Sequence, residues 1–242
     1  MKFGIIAAGE GSRLAAEGVT VPKPLVEVRG EKLVDRLIRI FMNEGAEEIA
    51  VICNDRTNMV ERHLAALQHK QMEGRAVPLR YIVKSTPSSM HSFFELSPLL
   101  EGGPFVLTTV DTIFREEEFH GYVEAFRKNL SEGWDGLMGV TDYVDDEKPL
   151  YLATDNQQTI TAFQDTDEPH CRYISGGIYG LNVSAIETLH RCVARGESRM
   201  RNFQRALLRD GRKLQAFAFS KVLDIDHVSD MEKASAFLSE TM

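Results

Sequence analysis

Ile5-Ile6-Ala7-Ala8-Gly9-Glu10-Gly11-Ser12-Arg13-Leu14 is the stretch that decides how this chain reads. A short apolar run, Phe3–Ala8, stops at glycine, as a buried parallel strand does. The loop that follows holds two glycines, with an arginine two residues after the second. Glycine reaches backbone conformations other residues resist and lets a phosphate approach the main chain. Backbone N–H groups in such a loop can cradle phosphate oxygens, and Arg13 adds a forked, permanent charge. Leu14 occupies the place of the third glycine in a dinucleotide-binding G-x-G-x-x-G loop, so that reading fails. No Gly-Lys-Ser/Thr follows at P-loop spacing either. Two glycines alone also fit a plain tight turn. The next cation is Lys23, in Pro22-Lys23-Pro24-Leu25, where the flanking prolines stiffen the backbone.

Outward from the loop, helix-like and strand-like segments alternate. Leu33, Val34, Leu37, Ile38 and Phe41 recur at helical spacing, and Gly45 closes that helix. Strands are predicted at 48–53, 79–83 and 105–109, and helices at 58–68, 90–100 and 116–129. This rhythm means βαβ units and a mostly parallel sheet covered by helices. The second half is more mixed. Strands are predicted at 135–141, 151–154, 160–164, 173–181 and 214–219, with helices at 185–194, 202–209 and 230–239. Residues 143–150 read as an exposed loop.

The 242 residues, 43% hydrophobic and 26% charged, fit one domain with a substantial core. We expect a single domain over 1–242, with a nucleotide-binding half (1–111) and an acceptor-binding half (112–242). A net charge of −8 argues against a general nucleic-acid or anionic-membrane binder. No stretch is long and apolar enough to span a bilayer. Lys2 and the run Phe3–Ala8 do not make a secretory leader, because no cleavage site follows a full apolar segment. Cys53, Cys171 and Cys192 are odd in number and dispersed, so neither a disulfide framework nor a zinc site is expected, and the cytoplasm is the expected compartment.

The pattern Ala8-Gly9-Glu10-Gly11-Ser12-Arg13-Leu14, then Pro22-Lys23-Pro24-Leu25, then Gly30 and Gly45-Ala46-Glu47-Glu48-Ile49, resembles the NTP:sugar-1-phosphate nucleotidyltransferases. The resemblance is strongest over 3–53 and traceable to about 235. It implies a Rossmann-like, three-layer α/β/α (GT-A-like) fold with a mixed, mostly parallel central sheet. It also implies a Mg²⁺-dependent reaction that joins an NTP to a sugar 1-phosphate and releases pyrophosphate. Larger members append a β-helix or acyltransferase domain, for which this length leaves no room.

Residue by residue, the resemblance assigns the phosphate cradle to Ala8, Gly9, Gly11 and Ser12, and the cationic pair to Arg13 and Lys23. Asp111, directly after the strand Phe105–Thr109, matches the first magnesium ligand. Val222-Leu223-Asp224-Ile225-Asp226-His227 resembles the second metal motif, with Asp224 at the best-matching position and Asp226 assisting or capping a turn. Ser88 and Ser89 occupy the base-binding segment, and His91 is left as a surface or packing residue. Gly177, in Tyr173-Ile174-Ser175-Gly176-Gly177-Ile178-Tyr179, matches the acceptor side.

One departure is clear. Many members place Glu-Lys-Pro before that strand, whereas this chain has Phe163-Gln164-Asp165-Thr166-Asp167-Glu168-Pro169 and no lysine between Pro149 and Arg212. Arg172 is the expected substitute cation. The alternatives are a cytidylyltransferase for phosphocholine or another phosphorylated alcohol, and a non-catalytic nucleotide-sensing module on the same fold. No feature of the sequence sets an oligomeric state.

Overall fold

The computed structural model describes residues 1–72, 74–145 and 147–240. The loop expected at 143–150 is irregular as anticipated, and its Asp146 lies outside the described residues.

The first half runs β1 (Lys2–Ala7), α1 (Ser12–Ala16), a hairpin of β2 (Glu27–Val28) and β3 (Glu31–Lys32), α2 (Leu33–Asn43), β4 (Glu48–Cys53) and α3 (Asn58–Gln68). A second small hairpin, β5 (Gln71–Met72) with β6 (Arg75–Ala76), leads into β7 (Leu79–Val83), α4 (Ser89–Leu100) and β8 (Phe105–Thr109). Then come β9 (Thr112–Ile113), α5 (Glu116–Ser131), β10 (Gly136–Thr141), β11 (Tyr151–Thr154), β12 (Ile160–Gln164) and β13 (Cys171–Leu181). The chain continues through α6 (Ala185–Ala194), α7 (Met200–Arg209), β14 (Leu214–Phe219), β15 (Leu223–Asp224) and α8 (Val228–Phe237).

The main sheet has the order β12-β11-β13-β8-β1-β4-β7, and β10 joins β13 to β14. β1 is parallel to both β4 and β8, and β4 is parallel to β7. β13 runs antiparallel to β8 and carries the sheet into the second half. The sheet is therefore mixed and mostly parallel around β1, as the expected fold requires.

Strand alternation explains the layers. On β1, Phe3, Ile5 and Ala7 join one core with Leu37, Phe41, Leu64 and Phe119, so α2, α3 and α5 cover that face. Ile6 and Ala8 join the other core with Phe93, Leu96, Leu189 and Phe203, so α4, α6 and α7 cover the opposite face. Gly4 leaves room for both its strand neighbour and the helix above: a Cβ there would lie 2.8 Å from Leu107 Cδ1 of β8 and 3.2 Å from Leu100 Cδ1 of α4. The helical spacing read in α2 buries Leu33, Val34, Leu37, Ile38 and Phe41 as expected. It also buries Arg36, whose Nη2 donates to the Phe114 carbonyl at 2.7 Å.

Cys53 and Cys192 are buried in these cores, and burial pushes each thiol up to about 11. Cys171, on the end of β13, is only partly covered. A thiol reagent at mildly alkaline pH is expected to modify Cys171 alone in the folded protein and all three cysteines in denaturant. Fast native labelling at Cys53 or Cys192 would contradict the packing described.

Candidate functional site

Open parallel sheets bind ligands beyond the carboxyl ends of their strands. Here those ends belong to β1, β8 and β7, and a cavity of about 500 Å³ opens there. It is lined by Ala8–Arg13 after β1, Asp111 after β8, and Thr86–Ser89 after β7, with Lys23 and Asp226 from outside the sheet. All of the residues expected around the nucleotide meet in this one cavity.

The glycine loop needs both glycines, for different reasons. Gly11 has φ +61°, and a Cβ there would press on Lys23 Cβ at 3.2 Å. It is a turn that only glycine makes cheaply, and it brings Lys23 close. Gly9 has no protein atom within 4 Å of where its Cβ would be. Its missing side chain leaves that part of the cavity open. The N–H groups of Gly9, Glu10, Gly11 and Ser12 donate to no acceptor among the described residues. Four free donors in a row, followed by Arg13, are a donor set suited to an anion. Gly9→Ala is accordingly expected to leave the melting temperature unchanged while weakening nucleotide binding about tenfold. Gly11→Ala is expected to lower both, because the left-handed conformation alone costs about 1 kcal/mol. Thermal melts and nucleotide titrations of the two variants check this, and equal behaviour would contradict it.

Lys23 is the centre of the charge arrangement. Its ammonium bonds to Asp111 Oδ2 and, at 2.7 Å, to Asp226 Oδ1. Its side chain is only 9% exposed. Burial opposes the charge, but the two carboxylates outweigh it and hold the ammonium above its ordinary range. Arg13 Nη1 donates to the other oxygen of Asp226 at 2.6 Å, and Nη2 reaches Glu147 at 3.3 Å.

The structure brings Asp226, rather than the better-matching Asp224, to Lys23 and Asp111. Two residues apart on an extended segment, both face the same side. Asp224 pairs in register with Thr112 at the β9–β15 ladder, and Ile225 N donates to the Asp111 carbonyl at 3.1 Å. Asp224 lines a second cavity, of about 240 Å³, that shares Arg13 and Asp226 with the first. Its other walls include Tyr143, Asp145, Glu147, Ser175, Gly176 and Lys233.

Gly176 and Gly177 form a bulge where the β10–β13 register shifts. Gly176 borders the second cavity. Gly177, with φ +69°, turns the chain past Thr112 instead, where a Cβ would lie 3.3 Å from Oγ1. Arg172 does not join the site. It lines neither cavity: it is the extra residue where the β11–β13 register shifts, and its guanidinium lies over the Tyr173 ring at 5.0 Å. Asp165, in the stretch that departs from Glu-Lys-Pro, is tied instead to Arg201 (2.6 Å) and Arg205 (2.9 Å) of α7.

Ser88 caps α4: its hydroxyl accepts from His91 N and meets His91 Nδ1 at 2.9 Å. His91 thus belongs to the cap. Ser89 opens the helix at the cavity wall.

Glu17, which the sequence did not single out, closes α1 against the metal motif. Its carboxylate receives Val228 N at 2.7 Å and bonds His227 Nδ1 at 2.5 Å. The His227 bond, then the Val228 bond, holds Glu17 below its ordinary range, and the same contact holds His227 above its own. Asp230 accepts from the N–H groups of Asp226 and His227 at 3.1 and 2.8 Å. The segment bearing Asp226 is therefore fixed from both sides.

The residues fit a magnesium ion. Asp111 and Asp226 already converge on one cation, the Lys23 ammonium, and their oxygens are the hard donors magnesium takes. Among the described residues no group of three His, Cys, Asp or Glu side chains forms a closed metal cage. Magnesium suits such an open arrangement, because it keeps waters and substrate phosphates as ligands. No helix among the described residues is long and apolar enough to cross a membrane.

Comparison with known proteins identifies the fold and the family. A UTP–glucose-1-phosphate uridylyltransferase, AglF, of Haloferax volcanii is 23% identical over 99% of this chain and 97% of its own. A 2-aminoethylphosphonate cytidylyltransferase of Lancefieldella rimae is 27% identical over 47% of this chain and 44% of its own. A Bacillus anthracis protein described as a glucose-1-phosphate thymidylyltransferase has the same fold, with a TM-score of 0.83 at 19% identity, covering 100% of this chain and 96% of that one. The sequence profile of the nucleotidyl transferases matches residues 4–241, and the chain belongs to that family.

Proposed function

We propose that this enzyme joins an NTP to a sugar 1-phosphate, yielding an NDP-sugar and pyrophosphate, with Mg²⁺ as cofactor. The observation that carries the reading is the Lys23 ammonium held between Asp111 and Asp226 on the wall of the glycine-loop cavity. The larger cavity takes the nucleotide. The free N–H groups of Gly9–Ser12 and the Arg13 guanidinium hold its phosphates, and Ser88 and Ser89 flank the base. The smaller cavity takes the acceptor, and the shared Arg13 and Asp226 mark where the two substrates meet.

An acceptor phosphate oxygen attacks the α-phosphorus. A new P–O bond forms there, the bond to the β-phosphate's bridging oxygen breaks, and pyrophosphate leaves with that electron pair. The attacking phosphate is already a nucleophile, so no general base is needed and positioning does most of the work. Lys23 and Arg13 neutralise charge on the phosphates as it redistributes. Asp111 and Asp226, with Asp224 beside them, would hold the magnesium, which supplies Lewis-acid stabilisation of phosphate charge. The reactants are small molecules, and no nucleic acid or membrane is part of the reaction.

A second reading has its own support. The acceptor cavity holds five carboxylates, Asp145, Glu147, Asp224, Asp226 and Asp230. The lysine that holds the sugar phosphate in many relatives is missing, and Arg172 does not replace it. That favours a phosphorylated alcohol such as phosphocholine, with CTP as donor. Purified protein with Mg²⁺ should be crossed against ATP, CTP, GTP and UTP, and against a panel of sugar 1-phosphates and phosphocholine. Pyrophosphate release with a sugar 1-phosphate supports the first reading, and release with phosphocholine alone supports the second. NTP binding without turnover across the panel would favour a sensing module.

A further inference from the structure

We infer that Asn54 is a positioning residue that presets the glycine loop for phosphate binding. β1 and β4 are parallel, with Ala7 opposite Cys53, so the residues leaving the two strands, Ala8 and Asn54, emerge side by side. Asn54 Nδ2 donates to both loop carbonyls it can reach, Ala8 O at 3.3 Å and Gly9 O at 3.1 Å. Its own Oδ1 accepts from Arg56 N at 3.2 Å, which fixes the amide in the orientation that donates. Arg56 in turn pairs with Glu10, the residue between the two glycines. The exit of β4 therefore holds the loop through backbone and side chain together.

In a trans peptide the C=O and the next N–H point in opposite directions, and the described residues contain no cis bond. With the carbonyls of Ala8 and Gly9 drawn toward Asn54, the N–H groups of Gly9 and Glu10 turn away from it. Asn54 lines a small cavity behind the loop, together with Gly9, Glu10 and Gly11. The nucleotide cavity shares the loop residues Gly9–Gly11 with it but does not include Asn54. Gly9 bears no side chain and Gly11 is left-handed, so this backbone has little steric resistance to peptide flips. A flipped peptide would aim a carbonyl at the phosphates where a donor is needed. Asn54 suppresses that flip before ligand arrives, so less ordering entropy is lost on binding.

The inference rests on the nucleotide reading of the cavity, and its test separates the two. Asn54→Asp is nearly isosteric and keeps the acceptor for Arg56 N, but it replaces the donor with an oxygen facing two carbonyls. Asn54→Ala removes both. Binding of each of the four NTPs to full-length wild type and both variants is measured without acceptor, followed by steady-state kinetics with the best pair. The inference expects the NTP Kd and KM to rise about tenfold in Asn54→Ala and further in Asn54→Asp. It expects kcat, acceptor KM and melting temperature to stay near wild type. Asn54→Gln, which restores a donor, should recover part of the affinity. Wild-type NTP affinity in Asn54→Asp would overturn the inference, as would a joint loss of melting temperature, kcat and both KM values. Failure of wild type itself to bind any NTP would overturn the nucleotide reading instead.

Discussion

Asp111→Asn lowers the rate of pyrophosphate release by about 10³-fold or more, while the protein melts near the wild-type temperature and still binds nucleotide. The expectation follows from how Asp111 is held. It leaves β8 at the point where the Val110 N–H bonds Ile6 O at 3.0 Å. Its own carbonyl receives Ile225 N, which ties it to the segment bearing Asp226. Asparagine fits the same space, so that framework survives. What disappears is one of the two negative charges facing Lys23, and with it an anionic oxygen for a magnesium ion. Losing one well-placed electrostatic group in a catalytic site typically costs about 10²–10³ in kcat, and a metal ligand adds to that. Nucleotide binding persists because the free N–H groups of Gly9–Ser12 and Arg13 are untouched. A variant that turns over within tenfold of wild type would remove Asp111 from the chemistry.

Lys23→Met lowers turnover by about 10²–10³-fold and makes thermal stability respond more strongly to Mg²⁺. Methionine keeps most of the aliphatic stem that packs on Gly11, so the change isolates the charge. Asp111 and Asp226 are then left facing one another with no ammonium between them. Breaking a buried ion pair on one side costs up to about 3–5 kcal/mol. The cost here falls at or below the lower end, because Asp226 is 39% exposed, Asp111 is 20% exposed, and Arg13 still contacts Asp226. A divalent cation that binds the bare pair restores part of that stability through mass action, by about 2.7 kcal/mol at a hundredfold excess over its Kd. Melting curves of wild type and variant over a Mg²⁺ series check this. Equal Mg²⁺ dependence of the two would contradict the assignment of the pair as a shared cation site.

The long elements were legible because each carries a period. β4, α3, β7, β8, β11, β12, α6 and β14 have the bounds their hydrophobic patterns predict. The two-residue ladders were not legible, since a pair of residues has no period. α1 was read as part of the loop because its five residues bury only Leu14. At the site, Gly9, Gly11, Arg13, Lys23 and Asp111 were readable because they lie in short contiguous motifs. The choice between Asp224 and Asp226 was not, because alternation puts both on one face and only the fold decides which meets Lys23. Arg172 was expected at the acceptor from its charge, but a bulge in the strand pairing and stacking on Tyr173 hold it elsewhere, and no sequence period announces a bulge. Glu17 and Asn54 carry no motif. Asn54 could have been found by one step of arithmetic, since pairing the strands at 3–8 and 48–53 brings Asn54 beside the loop.

The central claim is that one centre, built from the glycine loop, Lys23, Asp111 and Asp226, transfers a nucleotidyl group between two bound substrates. Product analysis by mass spectrometry tests it most directly, on wild type with Mg²⁺, the preferred NTP and its acceptor. The expected result is one NMP-acceptor conjugate for each pyrophosphate released, with no product when either substrate is omitted and none from Asp111→Asn at equal enzyme. Release of orthophosphate and NDP, or pyrophosphate release that does not require the acceptor, would show a hydrolase and contradict the account.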